Sequence, residues 1–449
     1  MFSSGFFLAA LAVGAALVHQ YLSKGPYIPW TCALFEYKCP RDIPFSGFAQ
    51  LEYADVFAKF QENFNRGREV GAMVTAYVDG ELVIDAYGGW QDAKKRIPYT
   101  NETLQLSWSS TKMLSAIIVA QYVEKGLLSY DEKIATYWPE FAQNNKSDVT
   151  LGDLMQHAAG VSWLDEPLSA AVAADLDQLA IVLAKQPHNF GGVRTRGYHA
   201  VTQGWCINEI IRRVDPAHRT INDIAAELNK VYNIEWYLKP HEPKFDRRIG
   251  PHYKPSPFYR KMRQWAKSLG LNLYDDADST VTVDYDLIYR AAGISMPDQV
   301  AHTEMWKIRH VEGPAYNGYT NSRSMAKLAA MMANKGHAIV KGEPDLLNEK
   351  TWTEAMKPVP VDVDVLLNGA PSPSLRGGFG IGPGQTIDGV VFAGWEGNGG
   401  SIFWWNEEYK IGVGYTMNAM IDGVPPDYRS TELVRLLVKH VKEKKKNSV

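Results

Sequence analysis

Ten residues from Leu114 to Val123, LSAIIVAQYV, leave a helix almost no polar face. A helix that is apolar on every side must be wrapped by other elements, so this one belongs in the middle of a core. Gly126 stands where a C′ glycine would end it. Immediately upstream, Leu106-Ser107-Trp108-Ser109-Ser110-Thr111-Lys112-Met113 places a hydroxyl, Ser109, and an amine, Lys112, three positions apart. With a helix starting near Ser109, positions i and i+3 share one face, and the amine reaches the hydroxyl as a base reaches its nucleophile. The free N–H groups of the helix start point at the same spot, where they would stabilise charge on an attacked carbonyl. Lysine is seldom buried without a role. Ser-x-x-Lys alone is a loose pattern, however, and needs support from the rest of the chain.

The strands lie at the two ends. Ala72 to Val78 and Glu81 to Tyr87 are β-rich runs joined by Asp79-Gly80, the strongest short hairpin signal. In the last quarter Val390 to Phe392, Ser401 to Trp405 and Ile411 to Met417 read as strands, with turns at Gly397 to Gly400 and Asn406 to Glu408. Leu51 to Asn65 is an amphipathic helix through Tyr53, Val56, Phe57, Phe60 and Phe64, and Asp427 to Lys442 is a closing helix with Leu433, Leu436 and Leu437 inward. Between about 160 and 330 the pattern is helical and loop-rich. Trp205, Ile207, Ile210, Ile211 and Val214 mark one helix, and Ser324 to Asn334 marks another. Residues 236–320 have aromatics, prolines and charges without a period and are a candidate lid or substrate wall. The expectation is an α+β sandwich: one antiparallel β-sheet built from both chain ends and flanked by helices, with a mostly helical lobe, about 127–330, inserted in the middle. A site would lie in the cleft between the two parts.

A net charge of −3 over 449 residues implies no basic face, so nucleic acid is not an expected partner. Cys32, Cys39 and Cys206 fit neither a disulfide framework nor a zinc pattern. Cys32 and Cys39 are able to pair in an oxidising compartment, and Cys206 reads as a buried thiol. No cofactor or metal is called for. The run Gly5 to Val18 is short for a membrane span, yet no small-x-small cleavage site follows it. Residues 1–22 are therefore expected to be an uncleaved signal anchor, with a signal peptide as the alternative. That places the protein at a membrane as a single-pass protein of the secretory pathway; secretion and a mitochondrial destination are the alternatives. The sequons Asn101-Glu102-Thr103 and Asn145-Lys146-Ser147 permit glycosylation in that setting. Residues 23–50, with Pro26, Pro29, Pro40 and Pro44, read as a linker, 51–440 as the folded domain, and 441–449 as a solvated basic tail.

Three separated stretches converge on a family. Ser109-Ser110-Thr111-Lys112, followed by IIVAQYVEKGLLSYDEKIATYWPEF and TLGDLMQHAAGVSW, resembles the first part of the serine β-lactamase and penicillin-binding-protein superfamily. The resemblance is closest to its class C β-lactamase-like branch, which includes carboxylesterases. Arg196-Gly197-Tyr198-His199-Ala200 looks like that branch's second motif, and Gly394-Trp395-Glu396-Gly397-Asn398-Gly399-Gly400-Ser401 like its third. The similarity covers roughly residues 50 to 440. It implies Ser109 as the acylated nucleophile, Lys112 and Tyr198 as the groups that move its proton, and the backbone N–H groups of Ser109 and Asn398 as oxyanion donors. Trp395 and Gly397 would line the substrate wall. His199 reads as structural, and Asn317 and Asn418 have no assigned role.

Two departures bear on substrate. Where the β-lactamases carry an asparagine two residues after the tyrosine, this chain has Ala200. Where they carry lysine or histidine at the head of the third motif, it has Trp395. An ester needs neither the amide nor the cation, and an aromatic wall, with Trp404 or Trp405 nearby, suits an apolar acyl or alkyl group. Since Trp404 and Trp405 alternate across a strand, at most one of them lines a cleft. The expectation is a serine hydrolase acting on small-molecule esters or amides, esters preferred. A peptidase or β-lactam-binding enzyme and a catalytically silent binding or scaffold protein are the alternatives. GxSxG and HExxH motifs are absent, and Gly380-Ile381-Gly382-Pro383-Gly384 reads as a turn.

Overall fold

The structure, a computed structural model, describes residues 4–24, 42–166, 168–254, 308–367, 369–420 and 426–447, with positions 261, 265 and 268. Its centre is a seven-stranded antiparallel sheet. The strands are β1 (Phe45–Ala49), β2 (Gly71–Val78), β3 (Glu81–Asp92), β4 (Ile97–Pro98), β5 (Ala393–Glu396), β6 (Ile402–Asn406) and β7 (Ile411–Met417). Their order is β1-β3-β2-β7-β6-β5, with β4 hung on β3. The two chain ends meet at the β2–β7 seam, in register from Val78 opposite Ile411 to Ala72 opposite Met417. The β2–β3 hairpin turns through Asp79 and Gly80, at φ 50° and 77°, the left-handed pair that a two-residue turn between twisted strands requires.

Each face of the sheet carries its own core. On one, the Ala54–Asn65 and Tyr428–Asn447 helices bury Val56, Phe60, Phe64, Leu433 and Leu437 against Val74, Val413, Tyr415 and Trp404. On the other, the Lys112–Glu124 and Ser322–Ala333 helices join a larger core with Phe403 and Trp405. Trp404 and Trp405 do part to opposite faces, but both are fully buried, so neither lines a cleft. Gly412 and Gly414 let the second helix lie directly on β7. A Cβ there would come within 2.2 Å of the Ala330 nitrogen and 2.4 Å of the Ser322 oxygen. The expected lobe boundary at 330 falls inside this helix, which packs with the sheet.

The Lys112–Glu124 helix is buried along nearly its whole length, and Gly126, at φ 69°, closes it with an N–H bond to the Val123 carbonyl at 3.0 Å. Against it pack the Thr202–Val214, Ile221–Tyr232 and Glu349–Ala355 helices, and the Leu176–Lys185 helix packs on the first of these. A small sheet of Gln105–Leu106, Tyr319–Thr320 and Trp236–Tyr237 ties this part to the segment leading into Ser109. At two residues per strand it is too short to leave a periodic signal.

Several expectations are corrected. β1 lies inside the stretch read as a linker: Phe45 packs edge-on against Phe64 at 5.1 Å, which ties this edge strand to the first core. Val390–Val391 is a two-residue strand paired with Thr386–Ile387, and the strand that joins the main sheet is the next one, β5. The lysine-rich tail continues the closing helix to Asn447. Lysine is a good helix former and favours a helix C-terminus, and Glu52 and Glu408 stand 3.5 and 3.1 Å from Lys444 and Lys445. The Ser4–Lys24 helix contains the N-terminal apolar run, but among the described residues no helix is long and apolar enough to cross a membrane. Gly5 to Val18 spans only about 21 Å at 1.5 Å per residue, against about 30 Å of hydrocarbon, so the expected anchor and membrane contact find no support in this helix. Cys32, Cys39 and most of the candidate lid lie outside the described residues.

Candidate active site

The chain enters the site through a strained turn. Ser107 sits near φ −91°, ψ 0°, and the bulky Trp108 is held at φ 50° before a 3-10 turn, Trp108–Thr111, runs into the Lys112–Glu124 helix. Ser109 and Lys112 therefore share a face, as their spacing predicts. The Tyr198 hydroxyl donates to Ser109 Oγ at 2.6 Å. Lys112 Nζ lies 3.5 Å from the same oxygen, 2.8 Å from the Ala200 carbonyl and 3.0 Å from the Ala315 carbonyl. It also sits 4.8 Å from the centre of the Tyr198 ring.

The electrostatics follow from burial. Lys112 is 4 % exposed, and desolvation pushes its pKa well below the ordinary 10.5. The neutral amine that this shift favours would have two hydrogens for the two carbonyls and a lone pair for Ser109. Tyr198 is pushed up to about 12, chiefly by burial and against the opposing effect of its bond to Ser109, so it remains a phenol at neutral pH. Ala200 lacks an amide side chain, and it is its backbone carbonyl that accepts from the lysine.

Tyr198 is set by contacts the sequence reading missed. Its N–H donates to Asp364 Oδ1 at 3.1 Å, and the buried Arg196 guanidinium stands 3.6 Å from the same carboxylate. His157 brackets it: its carbonyl accepts the Gly197 N–H at 2.9 Å, and its Nδ1 accepts the His199 N–H at 3.2 Å. Its ring meets the Tyr198 ring edge-on at 4.9 Å. Tyr198 also stacks on Trp395, 5.9 Å away and tilted by 15°, and Trp395 in turn meets the His157 ring at 5.6 Å, so the three rings form one cluster. No local pattern in the sequence distinguishes His157. His199 is structural: Nε2 accepts the Val161 N–H at 3.3 Å and Nδ1 donates to the Gly197 carbonyl at 2.6 Å, while burial pulls its pKa down to about 3.

β5 forms the opposite wall. Ser110 Oγ donates to the Trp395 carbonyl at 3.3 Å and lies 3.1 Å from Ser401 Oγ, which donates to the Ser107 carbonyl at 2.8 Å. A Cβ on Gly397 would sit 2.1 Å from the Ser107 oxygen, so only glycine fits where the end of β5 crosses the Ser109 turn. The Gly397–Gly400 turn closes through the Gly400 N–H to the Gly397 carbonyl at 3.0 Å, with Gly399 at φ 87° in its third position. The Asn398 N–H makes none of the backbone bonds that close this turn. Glu396 points away from Trp395 and accepts the Trp404 indole N–H at 2.9 Å; loss of solvent pushes its pKa up to about 7.

Asn317 and Asn418 are clamps outside the site. Asn317 donates to the Val311 carbonyl at 2.9 Å, and Asn418 accepts the Gly71 N–H at 2.8 Å. Cys206 is a buried thiol with its pKa raised to about 12. Among the described residues no group of three His, Cys, Asp or Glu is placed to hold a metal ion. The site thus unites a hydroxyl, a desolvated amine and a phenol beside an aromatic wall.

A family model described as Beta-lactamase matches residues 54–436. The chain is 30% identical over 168 residues to the esterase/beta-lactamase LipL of Mycobacterium tuberculosis, covering 37% of this chain and 39% of that protein. It is 30% identical over 114 residues to the esterase EstB of Burkholderia gladioli, covering 24% of this chain and 29% of that protein. The matched segments thus span well under half the length of these curated relatives. Among solved structures, a family VIII carboxylesterase is 27% identical, with a TM-score of 0.74 over 88% of this chain and 100% of that one. A penicillin-binding protein homologue from Caulobacter crescentus, 24% identical at the same TM-score and coverage, shares the fold.

Proposed function

We infer the chemistry from one premise: the chain belongs to the beta-lactamase family. Within it the protein acts as a serine hydrolase of esterase type, forming an acyl-enzyme on Ser109 from carboxylic esters with small or apolar acyl groups. The observation that carries this reading is the 2.6 Å bond from the Tyr198 hydroxyl to Ser109 Oγ, with the desolvated Lys112 amine behind the same oxygen.

Because Tyr198 donates to Oγ, the Ser109 proton is free to point at the Lys112 lone pair. On attack the Oγ–carbon bond forms, the proton passes to Lys112, and the carbonyl oxygen becomes an oxyanion facing the N–H groups of Ser109 and Asn398. On collapse the ester C–O bond breaks, the leaving alkoxide takes the Tyr198 proton, and Lys112 returns its proton to Tyr198. Water then replaces the alcohol and the sequence runs again, releasing the acid. Positioned proton transfer contributes about 10²- to 10⁴-fold. One oxyanion donor contributes about 3 kcal/mol.

Esters are favoured over β-lactams and peptides by Ala200 and Trp395. The first supplies no side-chain amide, and the second puts a ring where a cation would meet a substrate carboxylate. Each such polar contact is worth about 1 to 3 kcal/mol. EstB, named as an esterase, supports the same preference, and LipL, named as both an esterase and a beta-lactamase, supports ester chemistry without excluding β-lactams.

The test is labelling by a fluorophosphonate probe together with turnover of short-chain aryl esters, in wild type and Ser109→Ala. Both signals should vanish in the variant. Their persistence would remove Ser109 as nucleophile, and stable acylation by a penicillin without ester turnover would move the substrate class to β-lactams.

A further inference from the structure

We propose that Arg429, remote in sequence from all three motifs, is a positioning residue that fixes the Gly397–Gly400 turn and through it the Asn398 N–H. This deepens the reading of that N–H as an oxyanion donor and rests on it.

The Arg429 side chain is fully buried at the start of the closing helix. Nη2 donates to the Gly399 carbonyl at 2.7 Å and to Asp427 Oδ2 at 2.7 Å. Nη1 donates to the Ala419 carbonyl at 2.7 Å, to Glu69 Oε2 at 3.1 Å and to the Arg68 carbonyl at 3.3 Å. Nε donates to Asp427 Oδ1 at 3.1 Å. Glu69 also accepts from the Tyr415 hydroxyl. One planar fork therefore joins the entry to β2, the exit from β7 and the turn after β5.

Only one of these bonds reaches the site. On its inner side the turn is tied to the nucleophile segment through Ser401 and Ser110. On its outer side Arg429 holds the Gly399 carbonyl, two peptides beyond the one that carries the Asn398 N–H. The fit leaves no slack: a Cβ on Gly400 would lie 2.0 Å from Asp427 Oδ2 and 2.7 Å from Arg429 Nη2. An oxyanion donor stabilises a transition state only if its direction is set before the charge develops, and a flexible glycine turn cannot set it unaided. A lysine at 429 would be a point charge on a thin stem, unable to bridge Gly399 and Ala419 as the fork does.

The experiment compares fluorophosphonate inactivation rate, ester kinetics and melting temperature in the full chain for wild type, Arg429→Lys, Glu69→Gln and Gly400→Ala. Glu69→Gln disturbs the same buried cluster on the side away from the turn. Arg429→Lys should slow inactivation about tenfold or more, through kcat with little change in KM. Glu69→Gln should stay within about threefold of wild type even if it melts as early. Gly400→Ala keeps the buried charge but pushes the turn off Asp427, and it should slow inactivation too. It decides the matter if Arg429→Lys does not fold. Wild-type rates in Arg429→Lys or in Gly400→Ala, or losses that follow melting temperature alone across all variants, would overturn the proposal. A wild type that takes up no label at Ser109 would overturn the esterase reading, and this proposal with it.

Discussion

Tyr198 donates its hydroxyl to the Ser109 oxygen across 2.6 Å, although 89 residues separate them. The ring is held independently of that bond, by its contacts with His157 and Trp395. Tyr198→Phe therefore keeps the packing and removes one donor. Ester turnover should fall by about 10²- to 10⁴-fold. Stability should change by no more than about 1.5 kcal/mol, the net worth of one hydrogen bond. Kinetics and a thermal melt on the same preparation check both, and near-wild-type turnover would remove Tyr198 from the proton path.

The pH profile follows from the opposite shifts of Lys112 and Tyr198. In the proposed mechanism activity needs Lys112 neutral and Tyr198 protonated. Burial lowers the first well below 10.5 and raises the second to about 12, so kcat/KM should rise through one acid limb and stay level through the alkaline range. A limb centred near 10.5 would mean an ordinary, protonated lysine. The same shift links to stability. Between the folded and unfolded pKa of Lys112 the unfolded chain binds more protons, so its burial penalty is largest at low pH and lifts as pH rises toward 10.5. Denaturant titrations of wild type and Lys112→Met should show the difference in stability moving in favour of wild type across that window.

The parts of the site visible in the sequence were those whose spacing carries chemistry by itself. Ser109 and Lys112 sit one helical turn apart, and the apolar run behind them dictated a buried helix. The sheet is visible at the Asp79-Gly80 hairpin, in the apolar run of β6 and in the alternation of β7. What stayed hidden depends on contacts between distant segments. His157 acts through a backbone carbonyl and a ring edge, Asp364 through N–H groups, and Arg429 through carbonyls, and none of these leaves a local pattern. β1 was lost among prolines because five residues at a sheet edge are too few to show a period. Ala200 shows the same limit at one position: the side chain signals a missing amide, while the backbone oxygen at 2.8 Å supplies the contact.

His157 gives a separate test of how Tyr198 is held. Its Nδ1 accepts the buried His199 N–H, and burial keeps the ring neutral by pulling its pKa well below 6.5. His157→Phe keeps an aromatic ring beside Tyr198 but leaves that N–H without an acceptor, which costs about 1 to 3 kcal/mol. His157→Asn keeps an acceptor at a similar reach and tolerates the φ of 60° at this position, but it lacks the ring. If the hydrogen bond holds the loop, the asparagine variant should melt closer to wild type than the phenylalanine variant. The reverse order would assign the role to ring packing.

Gly397 and Gly126 separate a close approach from a backbone preference. At Gly126 the φ is 69° and a Cβ meets nothing within 4 Å, so Gly126→Ala should cost about 1 to 2 kcal/mol of left-handed strain and leave ester turnover unchanged. At Gly397 a Cβ falls 2.1 Å from the Ser107 carbonyl and 2.3 Å from Ser401 Oγ, both of which belong to the contact between β5 and the nucleophile turn. That overlap is relieved only if β5 moves off the turn, carrying Trp395 and the Asn398 N–H with it. A displacement of about 1 Å at a reacting centre costs about 10²-fold, so Gly397→Ala should lose activity on that scale even where its melting temperature matches that of Gly126→Ala. Equal turnover in the two alanine variants would show that β5 does not bear on the Ser109 site.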